Sequence, residues 1–363
     1  MQSILYISLF LMVFGDIFGI LIFISSGILV REYIYTVPLI IMLIYSILIK
    51  KNSKEYQLEI LTLVFLGLLL SLSTKPLSEL VNISYPLAIS LAIFIGNKIK
   101  FENKYTLLFI LTYIIISLNI DYIIYDGNIH TSIIDYYSNR GYQTDDDYIL
   151  PGISTRRYIV DIIPFRLPGA ALDPLANGII LSCVAFKISS YFKNLKIPIF
   201  IFFICIIFIL TESRSSIIFS VLLITITSLF GEGKFYNKNL IITFIGIFLI
   251  GFLYIFIGEN SDEDSHVKGL LFQNIDYKIL LGVGNNWLSP VYTENGIIFL
   301  LSGVGLISIP LLVLWIKVIR ENIKYLSYIC FLCLMILLPV HYYIFNIKIL
   351  SSILLIFSNK KCT

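Results

Sequence analysis

An all-α, polytopic integral membrane protein with about twelve transmembrane helices and two large extracytoplasmic loops is the fold class that three features predict. The chain is 58% hydrophobic and only 13% charged, where a soluble domain carries about 25% charged residues. Apolar runs near the roughly 20 residues needed to span hydrocarbon recur from end to end. Lysine and arginine, finally, are sorted between alternate connections. The mean hydropathy of +0.91 agrees, and a formal net charge of +3 gives no electrostatic case for a nucleic-acid partner.

In chain order the apolar runs cover 4–29, 36–49, 57–73, 78–96, 105–124, 172–192, 197–211, 216–230, 239–257, 295–316, 325–340 and 346–358. Residues 1–363 thus read as a single transmembrane domain. The first run lacks a basic leader and contains Asp16, so a retained helix is expected and not a cleaved signal. Cys183, Cys205, Cys330 and Cys333 sit inside apolar runs and Cys362 in the tail, so no disulfide framework is expected. Cys330 and Cys333 form a CxxC, a redox or metal signal in a soluble protein; within a lipid-embedded helix it reads as packing. Two connections, 125–171 and 258–293, exceed ordinary loop lengths. The first holds aromatic residues, Asp145-Asp146-Asp147 and Arg156-Arg157, and is expected to form short helices over the membrane face.

Orientation follows from the cations that flank the runs. With both termini cytoplasmic, 16 of the 26 basic residues face inward and 10 outward. Fifteen of the inner 16 are lysine, whereas six of the seven arginines are outer. Lysine obeys the positive-inside rule; arginine opposes it. A planar guanidinium binds phosphate bidentately and an ammonium does not. Some outer arginines pair with outer acids, yet the asymmetry favours an anion held on that side. The inner loops are short, which assigns any chemistry to the outer face.

One hairpin stands out. Lys196 precedes Arg214 by 18 residues and Lys234 follows it by 20, roughly 27 and 30 Å of helix. The turn Thr211-Glu212-Ser213-Arg214-Ser215 therefore falls at the outer edge of the hydrocarbon, where an arginine costs up to about 3 kcal/mol unless paired or solvated. Snorkelling to lipid phosphates is the ordinary explanation for an isolated arginine. Arg166, however, precedes the turn signal Leu167-Pro168-Gly169, and Asp173-Pro174 reads as an N-cap with proline at the first helical position. Gly282-Val283-Gly284 leads to Glu294-Asn295-Gly296, where the tenth run starts. Three loops thereby bring Arg166, Arg214 and Glu294 to one depth.

The succession Arg166…Pro168-Gly169…Asp173-Pro174, Ser213-Arg214-Ser215 and Gly282-Val283-Gly284…Glu294-Asn295-Gly296 resembles the O-antigen polymerase (Wzy) and O-antigen ligase superfamily. The match in order and placement runs from about Arg166 to Gly305. The resemblance implies a metal-independent glycosyltransferase of the bacterial plasma membrane, without a cofactor. Its substrate would be an undecaprenyl-diphosphate-linked oligosaccharide, with membrane lipid and a polysaccharide chain-length regulator as partners. Ligases carry a histidine near the Asn295 position, where Glu294 stands here, while His266 lies 28 residues earlier; this favours polymerase over ligase.

In that reading Arg166 and Arg214 stabilise the departing diphosphate. Glu294 is the first candidate for a base, then Glu212 and then His266. An acid in a first helical turn also suits the macrodipole without any chemistry, and Glu212 can simply pair with Arg214. Arg140, Arg156, Arg157 and Asn295 are candidates for holding substrate. Tyr136, Tyr137, Tyr142, Tyr148 and Trp287 could stack on sugars, although interfacial tyrosine is ordinarily aromatic belt. A lipid-linked oligosaccharide flippase is the main reading from another class, with Asp16 as its acidic candidate at depth.

Overall fold

The structure is a computed structural model and describes residues 2–29, 33–48, 58–66, 84–126, 135–136, 148–150, 153–154, 167–192, 195–211, 213–230, 296–297, 300–301, 305–338 and 346–358. The fold is all-α: helices α1 (Gln2–Ser26), α2 (Tyr33–Leu48), α3 (Ser84–Ile95), α4 (Asn103–Asp126), α5 (Pro174–Ser189), α6 (Lys196–Thr211), α7 (Arg214–Phe230), α8 (Ser308–Glu321), α9 (Leu326–Leu337) and α10 (Ile347–Phe357). Among the described residues, α1 and Asn103–Tyr122 of α4 are long and apolar enough to cross a bilayer, by length and composition; seven shorter helices are also apolar.

Among the described residues of the 125–171 connection are helical residues at 135–136, the 3₁₀ turn Gly169–Ala171 and a two-stranded antiparallel ribbon, β1 (Tyr148–Leu150) pairing with β2 (Ile153–Ser154). Pro151-Gly152 lies between the strands in the chain, a turn-forming dipeptide. The predicted helix at 295–316 gives way to a break: a 3₁₀ turn at Gly305–Ile307 precedes α8, which runs on to Glu321. Gly305 has φ +66, a left-handed conformation glycine adopts without steric cost. Pro310 then sits in the first turn of α8, where its missing N–H is harmless.

The chain forms two compact units. The first comprises Met1–Lys50, Ile95–Ser220 and Asn346–Asn359. One end of this unit is aromatic: Tyr6 donates to Tyr105 O at 3.1 Å and Thr106 Oγ1 to Leu355 O at 3.1 Å. There too the Phe186 ring meets Phe357 and Phe200, with centroids at 6.2 and 5.5 Å. At the opposite end Lys348 meets Asp16 and Leu167 meets Leu210. Helices α1, α4 and α6 therefore run from the first end to the second, α5 and α10 run back, and α7 starts at the second. Lys104, Lys187 and Lys196 belong to the first end, the latter two stacking over Tyr191 and Phe186.

The second unit comprises Lys51–Phe94, Val221–Phe345 and Lys360–Thr363. Its core uses the few polar tips its apolar helices carry. Trp315 Nε1 donates to Ser90 Oγ at 3.0 Å, and the Tyr328 hydroxyl donates to Ile93 O at 2.5 Å. Such contacts satisfy donors that would otherwise be desolvated without a partner. Cys330 and Cys333 are fully buried in α9, as packing requires, and none of Cys183, Cys205, Cys330 and Cys333 forms a disulfide.

Candidate functional site

The second end of the first unit is organised around one short segment, Leu167 to Asp173. Its local structure begins with Pro168 and Gly169. Gly169 has φ +55, and a Cβ there would lie 2.4 Å from the Asn177 amide. The 3₁₀ turn Gly169–Ala171 closes when Leu172 N donates to Gly169 O at 3.1 Å. Leu172 itself has φ 53, which costs a non-glycine residue about 1–2 kcal/mol. Burial offsets that strain: Leu172 packs with Ile20 and Tyr136, flanked by Ile17, Phe23, Ile120 and Leu167. Tyr136 is 1% exposed with its ring edge-on to Phe23, so it is not available to stack on a sugar. Asp173 then caps α5 as the sequence predicts, its carboxylate accepting from Leu175 N at 2.9 Å with Pro174 at the first helical position.

Side chains from three helices grip this turn. On α4, the Asp121 carboxylate accepts from Gly169 N at 2.9 Å and the Ser117 hydroxyl accepts from Ala170 N at 2.9 Å. The Tyr113 hydroxyl donates to Asn177 Oδ1 at 2.8 Å, and Asn177 Nδ2 donates to Leu167 O at 3.3 Å. From α10, Lys348 Nζ donates to Ala171 O and pairs with Asp16 at 2.6 Å. Both partners of that ion pair are largely buried, with side chains 12% and 15% exposed. The Asn346 side chain, accepting from Lys348 N at 3.0 Å, starts α10 and sets Lys348 in its first turn.

The turn in its own right buttresses the α6–α7 junction. Leu167 N donates to Leu210 O at 3.0 Å, one residue before α6 ends at Thr211. Ser213 is fully buried and caps α7, accepting from Ser216 N at 3.2 Å; Arg214 is the first residue of that helix. The N-terminal ends of α5 and α7 touch at Gly178, where a Cβ would lie 2.9 Å from Ser216 Cβ and 3.0 Å from Ser213 Cβ. Two helix N-termini meet there, each carrying about half a positive charge. No acid occupies the first turn of α7, where a cation stands instead.

Among the expected site residues, the Arg214 backbone is placed at this junction. Arg166 lies outside the described residues, but it precedes Leu167 in the chain, and Leu167 is bonded four residues upstream of Arg214. Glu212, Glu294, Asn295, His266, Arg140, Arg156 and Arg157 also lie outside the described residues. Gly296, which follows Asn295, donates to Leu338 O at 2.9 Å in the second unit. Sequence reasoning missed Tyr113, Ser117, Asp121, Asn177 and Lys348. The first three recur at a spacing of four, which puts them on one face of α4. Among the described residues no three His, Cys, Asp or Glu side chains group as a metal site. Comparison with protein-family models, curated proteins and solved structures finds no match.

Proposed function

We propose that the chain is a surface-polysaccharide polymerase, an O-antigen polymerase in kind, of the bacterial plasma membrane. It joins undecaprenyl-diphosphate-linked oligosaccharide repeats at the outer face with loss of the lipid diphosphate. The observation that carries this reading is the bond from Leu167 to Leu210, which ties the segment following Arg166 to the junction bearing Arg214. Arg214 begins α7, a helix N-terminus without an acid in its first turn, and Arg166 directly precedes Leu167 in the chain; cations at such a position suit a diphosphate.

The membrane part of the reading is supported by the surface. Leu107, Leu108, Leu111, Ile115 and Leu118 form an exposed apolar face on α4, and Phe202 is exposed on an α6 apolar all round. A soluble monomer rarely exposes continuous apolar surface of this kind. Helix directions in the first unit also agree with about twelve crossings and both termini cytoplasmic. Helices α1, α4 and α6 run one way and α5 and α10 the other, as alternate crossings require, and Lys104, Lys187 and Lys196 gather at the inward end.

In the reaction, an acceptor hydroxyl on a single lipid-linked repeat attacks the anomeric carbon of the growing glycan. The bond from that carbon to the diphosphate oxygen breaks, and its electron pair leaves on the diphosphate. Arg214 and Arg166 hold that developing charge, each worth about 2–4 kcal/mol by the scale of other fixed donors. Glu294 takes the hydroxyl proton, with Glu212 and His266 as the other candidates. Arg140, Arg156, Arg157 and Asn295 hold glycan. No soluble cofactor or metal is needed, because the guanidinium groups supply the cation. A chain-length regulator is the expected protein partner. The O-antigen ligase of the same superfamily is the alternative.

The test is polymer length in cells expressing Arg214→Ala at the normal protein level. Single lipid-linked repeats should accumulate and polymer should fall about a hundredfold or more; normal long glycan sinks the mechanism. Glu294→Gln in the same assay separates a base from a helix-terminal acid, since near-normal polymer returns the residue to the latter role.

A further inference from the structure

We infer that Asp121 is a positioning residue that acts through the turn and not through substrate. Its carboxylate serves as a fixed hydrogen-bond acceptor, with Ser117 and Lys348 completing the clamp. The inference deepens the polymerase reading and rests on it.

A chain that turns inside an apolar bundle has N–H and C=O groups that water cannot satisfy. At 169–171 the consecutive donors Gly169 N and Ala170 N and the acceptor Ala171 O are satisfied by side chains, from Asp121, Ser117 and Lys348. Those groups come from α4 and α10, neither of which is adjacent to the turn in sequence. Asp16 in α1 fixes Lys348 in turn. Three polar side chains from two distant helices thus converge on three peptide units, with Asp16 of α1 holding one of them in place.

What they hold is the support of the arginine junction. Leu167 carries the bond to Leu210, and its carbonyl accepts from Asn177, which Tyr113 orients. Loosening Gly169 and Ala170 therefore loosens the ground on which Arg214 sits. Misplacing a charge-stabilising group by about 1 Å costs about a hundredfold in rate. Asp121 would be unusual as an acid–base group, since its Oδ1 is committed to a backbone amide.

Full-length protein in lipid vesicles, supplied with lipid-linked repeats extracted from cells lacking this chain, provides the assay. Asp121→Leu should lower kcat about a hundredfold with KM changed by less than about threefold, because binding energy away from the reacting centre is kept. Asp121→Asn keeps an acceptor oxygen and should recover to within about fivefold of the natural rate. Amide hydrogen exchange at Gly169 and Ala170 should rise in Asp121→Leu and not in Asp121→Asn. Natural kcat in Asp121→Leu overturns the inference, and so does an Asp121→Asn as inactive as Asp121→Leu, which would mean the ionisable carboxyl is itself required. If Asp121→Leu does not fold, Ser117→Ala removes one acceptor with the loss of one oxygen and should lower kcat about tenfold; no loss there overturns the inference. Failure of the polymerase reading looks different, since the natural protein then makes no polymer from these repeats. Exchange alone then decides the clamp, and unchanged exchange in Asp121→Leu refutes it.

Discussion

At the scale of single residues, the site is set by a glycine that cannot be replaced and a leucine that bears strain. Gly169 has φ +55 and no room for a methyl beside Asn177. Gly169→Ala is therefore expected to cost about 2 kcal/mol or more, from the left-handed backbone and the clash together. The thermal midpoint of the detergent-solubilised protein should fall by several degrees, and an unchanged midpoint would mean the turn relaxes freely. Residue by residue, legibility differed. Asp173-Pro174 was readable as a cap because capping is local chemistry confined to three residues. Asp16 was recognisable as a charge at depth, but its partner Lys348 lies at the far end of the chain, and no local pattern links them. Tyr136 read as an interfacial aromatic and is instead buried, since sequence does not say which tyrosine folds inward.

At the scale of elements, α5 and α7 approach closely near their N-terminal ends. Gly178 lets Ser213 and Ser216 come within van der Waals contact of the α5 backbone, as small residues do where helices meet in membranes. Gly178→Ala should separate these ends by a few tenths of an ångström and cost about 1–3 kcal/mol. Because Arg214 begins α7, the same change should shorten the polymer; full-length polymer with normal stability would dissociate the helix contact from the chemistry. Element boundaries were readable wherever an apolar run ended in a cap or a turn signal. They failed at 295–316, where Gly305 breaks the helix inside a continuous apolar run. The pattern carried no mark of that break, because the residues on both sides are equally apolar. The polar face of α4 was overlooked for the opposite reason: Tyr113, Ser117 and Asp121 are diluted among apolar neighbours, and only their spacing of four reveals them.

At the scale of the whole chain, alternating helix direction and the split between lysine and arginine describe one arrangement. Helices α1 and α10 run antiparallel. Ser351 contacts Met12 while Lys348 contacts Asp16, which fixes the opposed directions of the two helices. Asp16, the acidic group that would suit a transporter, is committed to this pair beside the 169–171 turn. A buried pair of this kind resists removal of either partner by about 3–5 kcal/mol. Under the proposed polymerase reading, Arg214 at the head of α7 and Arg166 before Leu167 would hold the departing diphosphate. The most direct measurement is deletion of the gene with the surface glycan resolved on a gel. Loss of the ladder, leaving a single repeat on its lipid core, is the result expected. An intact ladder contradicts it, as would loss of all attached glycan with lipid-linked polymer retained, or repeats trapped on the cytoplasmic face.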